Sequence, residues 1–140
     1  MPTADVPPSG GGGLVSTAAD YLRFVQMLLN GGTLDGTRLL GRKTVARMTR
    51  NHLLDDVLAI QPPDGPGSGY GLGFGVELDE TQRPTLTSAG ANVWGSVASC
   101  GFWVDPQEEL VGLSMLQALW GSGVWVGQRL QNLAYQAILD

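Results

Sequence analysis

Between Ser16 and Gly32, in "STAADYLRFVQMLLNGG", apolar residues recur at helical spacing. Ala18, Tyr21, Leu22, Val25, Leu28 and Leu29 fall on one face. Thr17 and Asp20 form a T-x-x-D capping pattern and Gly31-Gly32 ends the run, so the spacing predicts a helix marked at both ends. Asp35-Gly36, set between short apolar runs, predicts a tight turn. "GRKTVARMTRNHL" then predicts a second, shorter helix with Val45 and Met48 inward, joined on that side by His52 or Leu53.

Residues 55–69 carry Pro and Gly without period and read as a surface loop. In "YGLGFGVEL", Tyr70, Leu72, Phe74, Val76 and Leu78 alternate with Gly71, Gly73 and Gly75, the pattern of one strand whose second face another backbone or helix can approach closely. "DETQRPT" is a polar connection. "NVWGSVASCGFWVDP", Asn92 to Pro106, reads as a strand running through Phe102 to Val104 and closed by an Asp-Pro turn, and "LVGLSMLQ" as a buried strand. The final run, "GVWVGQRLQNLAYQAIL", predicts a helix with Leu130, Leu133, Ala134, Ala137 and Ile138 as its apolar face. The expected class is α+β: an antiparallel meander of about three strands with packed helices.

Composition adjusts this picture. Charged residues are 15% of the 140, below the ~25% usual for soluble domains, and Gly, at 21, is about twice its ordinary share. So few charges suggest that part of the surface is covered by something else. Residues 1–13 read as an extended or mobile Pro/Gly-rich lead-in and residues 14–140 as one domain's worth of chain. A net charge of −5, with eight scattered Lys and Arg, offers no footprint for nucleic acid. No stretch is apolar enough to span a membrane and none reads as a signal peptide, so location is unassigned, with the cytoplasm as default expectation.

The chemical inventory is thin. One His and one Cys exclude a standard zinc site, and no metal or cofactor site is read. His52, near a helix end, has an ordinary role in meeting terminal carbonyls. "GTRLLGRKT" has the outer spacing of a phosphate loop but Arg42 where Lys is required, and the Gly-rich run lacks the G-x-G-x-x-G order. Asp55-Asp56 and Glu108-Glu109 read as solvated turns. Cys100 reads as a small buried side chain, and Trp94, Trp103, Trp120 and Trp125 as core or groove walls.

"SGGGGLVSTAADYLRFVQMLLNGGTLDGTRLLGRKTVARMTRNHL", "GYGLGFGV" and "WGSVASCGFWVDP…LVGLSMLQ", taken together, resemble the C-terminal part of the serine β-lactamase-like hydrolases, nearest the class C β-lactamase and esterase branch, with a penicillin-binding-protein-like transpeptidase fold. The resemblance runs from Ser9 onward and implies that residues 14–140 are the C-terminal part of such a domain, incomplete because the nucleophile-bearing N-terminal part is absent. It implies a site between a helical region and an antiparallel sheet. The Ser of S-x-x-K is activated by its Lys and by the Tyr of Y-x-N. A strand motif, K-T-G, H-x-G or W-G-G, forms the opposite wall, and the following backbone N–H supplies half an oxyanion hole.

By that resemblance Trp94, Gly95 and Ser96 are the strand motif and Val97 the backbone donor. Ser96 and Ser99 stand where the esterase pattern "WGGAAGT" has Gly, and Trp94 replaces a cation, which favours an uncharged ester over a charged β-lactam. The same strand could serve packing alone, through Val93, Trp94, Val97 and Phe102. S-x-x-K is absent, because Leu40 stands three residues before Lys43, the only lysine. Y-x-N is absent after Tyr21, Tyr70 and Tyr135. The catalytic set is thus expected to be missing from this sequence. Three readings follow. The chain is a hydrolase part inactive without an N-terminal partner segment, or a non-enzymatic remnant or binding module, or an unrelated α+β domain with similar patterns. The first implies an ester or amide substrate and an exposed apolar sheet edge or face prone to self-association.

Overall fold

The computed structural model describes residues 11–60, 65–119 and 124–139, with the backbone alone at 59, 60, 124 and 125. Most of the expected lead-in, the Trp120 position and the Trp125 side chain therefore lie outside the described residues. The first helix, α1 (Ala18–Leu29), starts where its cap predicts. Thr17 Oγ1 accepts the Asp20 N–H at 3.1 Å and donates to Asp20 Oδ2 at 2.8 Å, an arrangement worth about 1 kcal/mol. Gly31 and Gly32, at φ 63° and 97°, close its end, with the Gly32 N–H donating to the Met27 carbonyl. Val25 and Leu28 are buried and Tyr21 and Leu29 pack against the core, as the spacing predicts, with Met27 added to the inward face and Ala18 and Leu22 left exposed.

The Asp35-Gly36 turn joins β1 (Thr33–Leu34) to β2 (Thr37–Arg38), and both turn residues take positive φ, as a two-residue hairpin requires. The short α2 (Arg42–Met48) buries Val45. Residues 55–60 are not loop: they form α3 (Asp55–Ile60), whose first turn holds the Asp55-Asp56 pair where carboxylates favour a helix N-terminus. Residues 61–64 of the expected loop lie outside the described residues.

Two runs expected as single strands are hairpins. "YGLGFGVEL" folds back between β3 (Ser68–Tyr70) and β4 (Gly75–Glu77), with the Gly71 N–H bonded to the Phe74 carbonyl and Gly73 at φ 98°. The expected single face is broken by the fold-back: Phe74 and Val76 are buried while Leu72 and Leu78 are exposed. The expected close approach to the glycines is present. A Cβ at Gly71 would stand 2.1 Å from the Met48 carbonyl oxygen, and one at Gly69 2.5 Å from Asn51 Oδ1. "NVWGSVASCGFWVDP" likewise divides into β5 (Asn92–Gly95) and β6 (Gly101–Asp105), which pair Trp94 with Phe102 and Gly95 with Gly101.

With β7 (Leu110–Ser114) these strands make a five-stranded antiparallel meander, β3-β4-β5-β6-β7, rather than about three strands. Directly paired residues share a face. One face presents Val76, Val104, Val111 and Phe102 and packs on α1, with Phe74, Phe102, Val104, Val25, Met27 and Leu28 as the core.

The other face is small and polar: Gly75, Val93, Trp103 and Gly112 in one row, Gly95, Gly101 and Ser114 in the next, and Glu77 and Asp105 buried near the far end. The last helix, α4 (Val124–Gln136), covers part of it, and in doing so reverses the expected orientation. Gln131 is buried, Tyr135 reaches Asp105, and Asn132 bonds the Leu86 N–H and the Pro84 carbonyl, while Leu130, Leu133 and Ile138 point outward. A face that buries carboxylates must be met by hydrogen-bonding side chains, so the helix's polar positions go inward and its apolar stripe is left out.

Candidate functional site

The residues singled out in the sequence lie at one end of this sheet. β4 pairs only with Asn92 and Val93, so beyond it the β5 edge at Trp94 and Gly95 carries no strand neighbour on that side among the described residues. The buried Asn92 fixes β5 there by donating from Nδ2 to the Thr49 carbonyl at the end of α2. Trp94 is 49% exposed and meets the Tyr70 ring edge-on, centroids 5.4 Å apart. Packing alone does not account for the stretch: Phe102 is core and Val93 half-buried, but Trp94 and Val97 are open to solvent.

The turn after β5 is held tightly. The Ser96 N–H donates to the Cys100 carbonyl at 2.8 Å, Ser96 Oγ accepts the Cys100 N–H at 3.2 Å, and the Ser99 N–H donates to the Ser96 carbonyl at 2.9 Å. Ser99 takes φ 64°, which is why Gly is the ordinary residue at its place in the esterase pattern. Its hydroxyl donates to the Ala118 carbonyl at 2.7 Å. Cys100, half-buried rather than buried, donates from Sγ to the Leu116 carbonyl at 3.1 Å. The Val97 N–H takes part in none of the turn's hydrogen bonds, so a fixed loop presents a backbone donor beside an open strand edge. Such a donor is available to a carbonyl oxygen brought up to the edge.

Below the turn, a cavity of about 430 Å³ runs along the glycine-rich face toward α4. Tyr70, Trp94, Gly95, Ser96 and Ser99 line one part of it, and Trp103, Ser114 and Gln131 another. Val97 does not line it. Glu77 and Arg83 form a buried ion pair in its wall, through Oε2 and Nε.

Several of these groups carried no signal in the sequence. In the sequence Glu77 belongs to a strand edge, Arg83 to a polar connection and Asp105 to an Asp-Pro turn. Asp105 is fully buried and accepts from Tyr135 Oη–H at 2.7 Å, from the Ser88 N–H at 3.1 Å and from the Gln107 N–H at 2.9 Å. Burial pushes its pKa up, but the bonds from Tyr135, Ser88 and Gln107 outweigh that and hold the carboxyl below its usual value. Tyr135 is driven well above the usual phenol value, by burial first and by Asp105 next.

His52 has the structural role expected of it: Nε2 lies 2.7 Å from the Arg47 carbonyl in the last turn of α2. "GTRLLGRKT" is divided among the Asp35-Gly36 turn, β2 and the first turn of α2. Glu108 and Glu109 are exposed in the β6–β7 turn. Among the described residues no cluster of His, Cys, Asp and Glu could hold a metal ion, and no helix is long and apolar enough to cross a membrane.

An antiparallel sheet with helices packed on it matches the β-lactamase and transpeptidase-like architecture. Residues 1–122 match the β-lactamase family, and the chain belongs to it, which sets aside the reading of an unrelated domain. Protein Rv1367c of Mycobacterium tuberculosis is 38% identical over 120 residues, covering 79% of this chain and 30% of that protein. The hydrolase EstCE1, described as having promiscuous acyltransferase activity, superposes with a TM-score of 0.79 at 27% identity, over 95% of this chain and 33% of its own. Simvastatin synthase of Aspergillus terreus, at 19% identity and a TM-score of 0.66 over 86% of this chain and 33% of its own, shares the fold. The chain spans about a third of the length of the curated relatives it matches.

Proposed function

We propose that this chain supplies the sheet side of a serine hydrolase site of the esterase kind. In this reading Trp94, Gly95 and Ser96 form the wall and the Val97 N–H is one oxyanion donor. The observation that carries the reading is the solvent-facing edge at Trp94 and Gly95, open among the described residues and followed by a hydrogen-bonded turn whose Val97 N–H has no partner among them, in a chain of the β-lactamase family.

A carbonyl placed on this edge would receive the Val97 hydrogen bond as negative charge develops on its oxygen. Such a bond, strengthened in the transition state, lowers the barrier to acyl transfer. The nucleophile, its lysine and its tyrosine come from another segment, since S-x-x-K and Y-x-N are absent from this sequence. An ester or amide without charge beside the scissile bond fits best, because Trp94 offers a ring and not a cation. EstCE1 being described as a hydrolase with acyltransferase activity supports the same class.

The outward stripe of Val126, Leu130 and Leu133 supports a covering partner, either the remaining part of a longer hydrolase or a second copy. We favour the hydrolase segment, because the relatives are about three times as long as this chain. The competing reading, a non-enzymatic binding module, draws on the same missing nucleophile.

The test is hydrolysis of p-nitrophenyl butyrate by the chain alone and by the chain joined to the part of the Mycobacterium tuberculosis relative it does not match. The expected result is no turnover alone, turnover in the joined protein, and a drop in kcat/KM of about tenfold or more on Trp94→Ala. Turnover by the chain alone that survives both Ser96→Ala and Ser99→Ala would overturn the claim that the nucleophile lies elsewhere. An inert joined protein that is fully folded would leave the binding-module reading standing.

A further inference from the structure

The inner end of the cavity has a chemistry of its own. Trp103 is 5% exposed and lines the cavity, yet its Nε1–H meets no acceptor among the described residues. Gln131, 8% exposed on the α4 side, likewise has an Nε2 without a hydrogen-bond partner among the described residues. A buried donor left unpaired costs on the order of 1–3 kcal/mol, and native interiors rarely tolerate one. Here two stand in the walls of one cavity, and both are donors.

The indole is held where it is by the sheet. Trp103 pairs with Gly112 on β7, and its ring lies flat across that residue, so that a Cβ there would stand 2.0 Å from Trp103 Cζ2. The missing side chain gives the ring a fixed seat and gives Nε1 a fixed direction. Neighbouring positions Gly75, Gly95, Gly101 and Gly127 keep the remaining wall low.

Charge is balanced as well. The lining's charged residues, Glu77 and Arg83, are ion-paired with each other, so nothing in the wall selects an anion or a cation. About 430 Å³ lies within the range of small-molecule pockets.

We propose that this cavity binds an uncharged small molecule carrying a carbonyl-type acceptor and a flat apolar body. The acceptor takes the Trp103 Nε1–H, with the Gln131 amide as the second donor. Neither donor belongs to the Trp94–Val97 wall, although Trp94, Gly95 and Ser96 line the outer part of the same cavity.

The test uses the full chain labelled with nitrogen-15 and the neutral amide acetanilide, with benzoate and benzylammonium as charged controls of similar size. The indole cross-peak missing in Trp103→Phe identifies Nε1–H. Acetanilide is expected to move it downfield in a saturable way, and the charged controls are not. Affinity measured by calorimetry should fall roughly three- to tenfold in Trp103→Phe, the worth of one neutral hydrogen bond. Should that variant not fold, Gln131→Leu, which removes the other donor, is expected to weaken binding by a similar factor. A cross-peak that stays in place up to the solubility limit of acetanilide, equal response to the charged probes, or unchanged affinity in a folded donor variant would overturn the proposal.

Discussion

Tyr135 Oη donates to Asp105 Oδ2 at 2.7 Å, across thirty residues of chain, and so ties the last helix to the end of strand β6. Both partners are shifted in the directions that strengthen the bond at neutral pH. A carboxyl held below its usual value contributes stability that is fully present above the unfolded Asp pKa of about 3.9 and is lost as the pH falls through the lower native value. A phenol raised above its unfolded value of about 10 contributes stability that is complete below that pH and lost as the pH rises through the native value. Tyr135→Phe should therefore cost about 1.5–3 kcal/mol at pH 7, the range for a hydrogen bond to a charged group. Urea denaturation from pH 3 to pH 10 should show the variant's deficit shrinking at the acid end. A deficit that is flat with pH would show that the bond does not anchor the helix.

The Glu77–Arg83 pair lies in the cavity wall with its side chains only 2% and 7% exposed. Removing one partner leaves a buried charge, so Glu77→Gln should destabilise the chain by about 3–5 kcal/mol. Replacing both together, Glu77→Leu with Arg83→Met, should cost clearly less than the two single losses added. A double-mutant cycle by chemical denaturation measures the difference, and strict additivity would show that the pair is not coupled.

Ser99 holds a left-handed conformation and a 2.7 Å bond to the Ala118 carbonyl at the same time. Ser99→Ala keeps the strain and loses the bond, so it should destabilise by about 1 kcal/mol. Ser99→Gly loses the bond but relieves a backbone cost of about 1–2 kcal/mol, so it should come out near neutral. Thermal melts of the two variants side by side decide this, and a glycine variant no more stable than the alanine one would remove the strain argument.

The outward stripe on α4 predicts association. Leu130 and Leu133 are 42% and 64% exposed on neighbouring turns. Sedimentation of the isolated chain should show concentration-dependent self-association, and Leu130→Glu with Leu133→Glu should shift it strongly toward monomer. A parent chain that stays monomeric at tens of micromolar would indicate that the stripe needs no cover.

The proposed wall at Trp94 to Val97 is reachable from the sequence only through family resemblance, because spacing and polarity there fit a packed strand equally well. Exposure differs along the stretch only in the tertiary structure: Phe102 is core while its pair partner Trp94 faces solvent. The Ser99 departure was visible as a letter, but its cost becomes visible only with the backbone angle. The inner cavity had no sequence signature. Its two donors are 28 residues apart and meet only because α4 lays its polar side on the sheet.

What the sequence by itself determined is local. Thr17 and Asp20 start a helix, Gly31-Gly32 ends it and Asp35-Gly36 turns a hairpin, because each depends on bonds within a few residues. It also determined a chemical absence, since no S-x-x-K or Y-x-N can arise from folding. Tertiary structure decided where long runs fold back and which way helices face. Alternation in "YGLGFGVEL" is the same for one strand as for a hairpin, and what favours the hairpin is the fit of Gly69 and Gly71 against Asn51 and Met48. The face of α4 was decided by partners far away: with Glu77 and Asp105 buried on the sheet, satisfying hydrogen bonds outweighed burying Leu130 and Leu133.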